Sequence, residues 1–249
     1  MKKVFLCLLL FAAACTTVTP PNDFIYQEVP TSTFKIATWY KITNPSAPVK
    51  VYVEGDGAAF RANGQISSNP TPRGVLVREL AFGDTHANVI YLARPCQFTK
   101  DDKCAPQYWS TARFAPEIIQ AEYEALHKLA GNNPLTLVGF SGGAQVTGLL
   151  AVKYPDLKVQ KLVTIAGNLD HKAWTTYHHL PALELSDALA HYRQQYLAFE
   201  QVHYVGAEDD NIVPSITENF VGNKSHIIYI KNANHSEGWQ KVYSQIWAE

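Results

Sequence analysis

The run Leu135-Thr-Leu-Val-Gly139-Phe-Ser141-Gly-Gly-Ala-Gln145 decides the fold. Its first half is short and apolar, the signature of a buried strand. The Ala/Leu-rich stretch 142–154 that follows has helical composition. Between them Gly139, Gly142 and Gly143 surround Ser141 in a GxSxG pentapeptide. A serine held on a tight strand-to-helix turn needs such tiny neighbours, and the turn lifts its hydroxyl above the sheet edge. It also stands at a helix N-terminus, where developing negative charge is favoured. Taken alone, the pentapeptide also fits a plain Gly-rich turn, so the rest of the chain has to supply Ser141 with partners.

Other short apolar runs alternate with helical patterns, which points to βαβ units around a mostly parallel sheet. The expected strands are 34–41, 49–54, 88–93, 135–138, 161–165, 201–205 and 226–230. They are nearly continuous in hydrophobicity, as buried parallel strands are. The expected helices are 72–80, 115–130, 142–154, 186–197, 214–221 and 236–248, with 168–181 left over for a small cap. The fold class is therefore α/β, with helices on both faces of the sheet and little or no cap. Of the 249 residues 47% are apolar and 17% charged, enough to bury one large core and to exclude disorder for most of the chain. The net charge is −1 and no basic tract is visible, which argues against a nucleic-acid partner. No apolar run reaches the roughly 20 residues of a spanning helix.

A serine is a weak nucleophile near neutral pH and needs a base that is itself oriented by an acid. In this architecture the chain order is Ser, acid, His. Two late strands lead into GAEDDNIVP and KNANHSEGW. Asp210 then falls on the loop after the penultimate strand and His235 on the loop after the last. Both stand at C-terminal strand ends, where such sheets hold their sites. Asp170-His171 and His178-His179 hint at metal, yet no third ligand at helical spacing accompanies them, and no metal or other cofactor is expected.

The N-terminus reads as an address. Lys2 and Lys3, the apolar run 4–14 and Cys15 have the shape of a secretory signal. Ala12, Ala13 and Ala14 before Cys15 resemble the lipobox of a bacterial lipoprotein, with Ala12 where leucine is usual. On that reading 1–14 are cut off, Cys15 is acylated, 15–33 form a Pro- and Thr-rich tether, and 34–249 form the domain. Thr16 resembles the residue of lipoproteins sent to the outer membrane, so an exported, membrane-anchored protein facing the periplasm is expected. The alternative is an ordinary signal peptide cut nearby. Cys96 and Cys104 remain. In an oxidising compartment they are expected to form a disulfide, worth about 2 kcal/mol in the chain-entropy model, with metal ligation or free thiols as alternatives.

Residues 34–249 resemble an α/β-hydrolase. They are similar to a group of bacterial exported hydrolases carrying EGDG (Glu54 to Gly57), YLARPCQ (Tyr91 to Gln97), the GxSGG elbow and AGNLDHxxWT (Ala166 to Thr175). The resemblance implies Ser141 as nucleophile, Asp210 as orienting acid and His235 as general base. In DxxVP loops the acid stands four residues before the proline, which selects Asp210. Gly206 lies one residue further away than usual, which keeps Asp209 as an alternative, and Asp170 after the preceding strand is another. The resemblance also implies an oxyanion hole from the N–H groups of Gly142 and Asp56, with Gly57 second. Glu54 departs from the histidine common in that loop, and the Asp56 carboxylate has to turn away from the oxyanion, toward an arginine or a backbone N–H. Asn168, Asp170, Trp109 and Trp174 are candidate substrate contacts.

These readings converge on a serine hydrolase of small-molecule esters, resembling carboxylesterases, whose only contact with a membrane is its lipid anchor. A peptidase, amidase or thioesterase on the same triad is the enzyme alternative. A catalytically silent binding module of the envelope is the other.

Overall fold

The structure, a computed structural model, describes residues 18–249. The expected signal and the acylated Cys15 lie outside the described residues. Eight strands form one sheet: β1 (Ile25–Pro30), β2 (Lys35–Ile42), β3 (Val49–Val53), β4 (Asn88–Leu92), β5 (Leu135–Phe140), β6 (Val159–Ile165), β7 (Glu200–Gly206) and β8 (Ile227–Ile230). Their spatial order is β1-β2-β4-β3-β5-β6-β7-β8. β2 runs antiparallel to both neighbours, and the remaining pairings are parallel.

The helices are α1 (Leu76–Gly83), α2 (Pro116–Ala130), α3 (Gly142–Lys153), α4 (His171–Tyr177), α5 (Arg193–Tyr196), α6 (Pro214–Val221) and α7 (Tyr243–Ala248). One core cluster joins α2, α3 and α6 to Val49, Val51, Val53, Leu135 and Leu137 of the central strands. The other joins α1 and α7 to Tyr52, Tyr91, Val138 and Val163 on the opposite face. Each buried aliphatic side chain contributes about 1.5–3 kcal/mol, so the two faces together hold the layers shut. Buried Lys50 interrupts β3, and its ammonium donates to the carbonyls of Ile246 and Trp247 at 2.9 Å, tying the end of α7 to the sheet.

Several expected boundaries move, and the helix expected over 186–197 shrinks to α5 after a 3₁₀ turn at Leu189–Tyr192. The stretch assigned to tether carries β1, which pairs with β2 from Ile25↔Tyr40 to Pro30↔Lys35. Only Val29 of β1 is buried, so its edge position leaves almost no hydrophobic pattern to read. α1 begins at Leu76 rather than at 72, because 70–75 runs along the site and Pro70 accepts the N–H of Ala58 at 2.9 Å. The last helix starts at Tyr243 rather than at 236, since Gly238 is left-handed at φ 88°. Among the described residues no helix is long and apolar enough to cross a membrane.

Candidate active site

Ser141 stands between β5 and α3 with φ 51° and ψ −121°. A non-glycine residue held there carries strain of order 1–3 kcal/mol. Its surroundings enforce the conformation: its N–H donates to Ile165 at 3.0 Å, and its carbonyl accepts the N–H groups of Ala144 (3.1 Å) and Asn168 (2.9 Å). A Cβ on Gly139 would lie 2.6 Å from the carbonyl of Gly143, so β5 and α3 approach this closely only because that side chain is missing. A Cβ on Gly142 would lie 2.2 Å from Asp56 Oδ1, which brings the loop after β3 directly against the turn.

The imidazole of His235, on the loop after β8, reaches Ser141 Oγ through Nε2 at 3.0 Å. Its Nδ1 reaches Asp209 Oδ2 at 2.9 Å. The ring therefore donates from Nδ1 to the carboxylate and offers Nε2 to the hydroxyl. Phe140 packs beside it, with ring centroids 5.2 Å apart. The Asp209 carboxylate is inaccessible to solvent. Its other oxygen accepts the N–H groups of Asn211 (2.9 Å) and Ile212 (2.8 Å), so the loop after β7 closes around this side chain. Asp210 is exposed.

The structure thus places Asp209, and not the expected Asp210, against His235. The spacing rule counts back from Pro214 and assumes a fixed loop. Here a turn with the N–H of Asp209 on Gly206 (3.2 Å) shifts the inward position by one residue. The extra residue after Gly206 is the sequence sign of that shift, the one that keeps Asp209 as the alternative among three consecutive acids, Glu208 to Asp210.

Beneath Ser141 the loop after β3 is fixed by charge. Arg113 Nη1 donates to Asp56 Oδ2 at 2.7 Å, and Arg94 Nη1 lies 3.4 Å from Oδ1. Arg94 Nε is 3.0 Å from Glu122, and its Nη2 donates to the carbonyl of Arg113. Burial pushes the Glu122 carboxyl up to about 8, against the pull of Arg94. Arg113 also donates from Nε to Ser110 at 2.7 Å and lies 5.6 Å from the rings of both Phe60 and Trp174. The Asp56 carboxylate thus turns to two arginines. Glu54 is buried and accepts from Tyr91 (2.7 Å) and the N–H of Gly55 (3.1 Å); burial pushes its carboxyl up. It staples the loop internally.

A cavity of about 810 Å³ opens above Ser141 and His235, with Asp56, Gly57, Phe60, Arg113, Asn168 and Trp174 among its walls. No family model and no curated protein matches the chain. Among solved structures, an α/β serine hydrolase without a lid from Xanthomonas campestris is similar over 93% of this chain and 94% of its own, at 13% identity and a TM-score of 0.52. The chain has the α/β-hydrolase fold. Est1E from Butyrivibrio proteoclasticus is similar over 91% and 95% of the two chains (10% identity, TM-score 0.58). So is a carboxylesterase from the thaumarchaeon Nitrososphaera gargenis, over 89% and 93% (12% identity, TM-score 0.53).

The α/β-hydrolase fold also sorts the remaining candidates. Asn168 and Trp174 line the cavity. Asp170 instead caps α4, accepting the N–H groups of Lys172 and Ala173 at 3.0 Å, which satisfies two donors of a helix start. Trp109 is buried behind the wall and donates from Nε1 to Ser67 at 2.9 Å. His171 stacks on Phe114, and His178 Nε2 bonds the carbonyl of Asn211 at 2.7 Å. Cys96 and Cys104 are joined as expected. An arginine beside Asp56 was expected, but nothing in the sequence singles out Arg94 and Arg113 as the pair, because a clamp between distant loops has no local period.

Proposed function

We propose that the protein is a serine hydrolase of small carboxylic esters that works through an acyl-enzyme. The observation that carries this reading is the unbroken chain Ser141–His235–Asp209 at the floor of an open cavity. His235 Nε2 takes the Ser141 proton as Oγ attacks the ester carbonyl. Asp209 holds the ring in the required tautomer and stabilises the imidazolium that forms. The N–H of Gly142, first in α3 and without an intrahelical acceptor, and the N–H of Asp56 receive the oxyanion. His235 then returns the proton to the leaving alcohol, and water, activated by the same ring, releases the acid. Carboxylic esters are the leading substrates because one of the similar structures is a carboxylesterase and the open cavity admits small acyl groups without a lid.

A fluorophosphonate probe and a panel of chromogenic esters test the reading. Labelling and ester turnover by the wild type, both abolished in Ser141→Ala, are the expected result. Well-folded wild type that neither labels nor hydrolyses would sink it. Turnover of anilides or thioesters with none of esters would move the assignment to those acyl chemistries of the same triad.

A further inference from the structure

The second oxyanion donor is a backbone N–H, and a backbone N–H is useful only if its peptide plane is held. The plane in question is Gly55–Asp56. Because a trans peptide is planar, its C=O and N–H point in opposite directions, and fixing one fixes the other. The carbonyl of Gly55 accepts Gln97 Nε2 at 2.9 Å. Gln97 Oε1 in turn accepts the N–H of Arg94 at 3.1 Å, so both ends of the amide are committed and its orientation is set. Gln97 is buried. It borders a small cleft with Asp56, Arg94 and Trp109, behind the loop, and is absent from the walls of the main cavity. The N–H of Asp56 therefore points away from Gln97.

The chain around Gln97 is itself forced. Cys96 (φ 70°) and Phe98 (φ 58°) flank it in the left-handed region that L residues avoid. The Cys96–Cys104 disulfide, the N–H of Gln97 on Arg94 (3.1 Å) and the N–H of Phe98 on Thr71 Oγ1 (2.8 Å) hold that conformation. Gly57 completes the fit. At φ 64°, its Cβ would stand 2.1 Å from the Pro70 carbonyl and 2.7 Å from Gln97 Nε2, so only a glycine fits between them.

We infer that Gln97 is the positioning residue of the oxyanion hole: through the Gly55 carbonyl it aims the N–H of Asp56 at the developing oxyanion, while Arg113 and Arg94 hold the Asp56 side chain out of the way. This rests on the hydrolase reading above. The disulfide-closed loop thereby has a kinetic task beyond stability.

Gln97→Met keeps the length of the side chain and removes the donor. With a chromogenic ester that the wild type hydrolyses, and rates normalised to active sites titrated with fluorophosphonate, kcat is expected to fall about 10- to 100-fold with KM within twofold, short of the ~10²–10³ for outright loss of a donor. The inhibition constant of a trifluoromethyl ketone should rise by the same factor, since that adduct carries the oxyanion. A purely structural role would lower the titre or the melting temperature and leave the surviving sites at wild-type kcat. In Gln97→Glu an ionised carboxylate cannot donate to Gly55, whereas its protonated form can. The ratio of variant to wild-type kcat should therefore climb as pH falls. Normalised kcat within twofold of wild type in Gln97→Met, or a flat ratio in Gln97→Glu, overturns the inference and leaves the hydrolase reading intact. Wild type without turnover or labelling fails the hydrolase reading first, and this one with it.

Discussion

Two histidines of this molecule sit in nearly the same hydrogen-bonded arrangement. His235 lies between Ser141 Oγ (3.0 Å) and Asp209 (2.9 Å). His203 on β7 lies between Thr164 Oγ1 (2.8 Å, on Nδ1) and Gln201 Oε1 (3.0 Å, on Nε2). Each ring receives a hydroxyl on one nitrogen and donates to a side-chain oxygen from the other. Two properties separate them. The acceptor is a carboxylate in the first case and a neutral amide in the second. The first ring borders the cavity, while the second is fully buried. Burial, with a smaller push from His226, takes the His203 imidazole down to about 3, so it stays neutral near pH 7. A hydroxyl–imidazole–oxygen chain is therefore not a triad by connectivity alone. It needs a carboxylate that stabilises the imidazolium and a route by which substrate arrives.

The strongest way to break the distinction is Asp209→Asn, which makes the cavity chain resemble the buried one. The amide nitrogen would face His235 Nδ1 and favour the wrong tautomer, and kcat should drop on the order of 10⁴-fold. Steady-state kinetics beside Asp210→Asn, expected within about threefold of wild type, check it; the opposite ranking would restore Asp210 as the acid. Gln201→Glu tests the converse. A carboxylate beside His203 should create no hydrolysis in a Ser141→Ala background, because the ring is fully buried. Stability in urea should fall by more than the roughly 1–3 kcal/mol of a neutral unsatisfied group, because the buried group carries a charge. Turnover in that double variant would refute the role given to access.

The gentlest test is titration of stability. The His203 value is depressed in the fold, so the unfolded chain binds the proton more readily. Stability from this ring is full above the unfolded value near 6.5 and is lost as pH falls toward 3. The slope from one group is at most about 1.4 kcal/mol per pH unit. Melting curves of His203→Gln should be flatter than wild type across that window; parallel curves would contradict the assignment.

What could be read without coordinates follows from how locally each feature is encoded. The elbow at Ser141 is written in consecutive residues, and β5, α3 and the loop of His235 follow from adjacent patterns. Asp209 was obscured because the inward register of a loop depends on a backbone turn at Gly206, not on residue type. β1 was missed because an edge strand with only Val29 buried shows no alternation. The clamp on Asp56 joins residues 56, 94 and 113, whose pairing only the folded sheet creates.

β1 runs parallel to β4, so its first residue lies at the end of the sheet remote from the cavity, where Asp23 and the carbonyl of Asp84 share the ammonium of Lys41. A bead, dye or solid support coupled ahead of that point would hang from the underside of the molecule. Immobilised in this way, the protein would present its opening outward, and diffusion of small reactants would be unobstructed by the attachment.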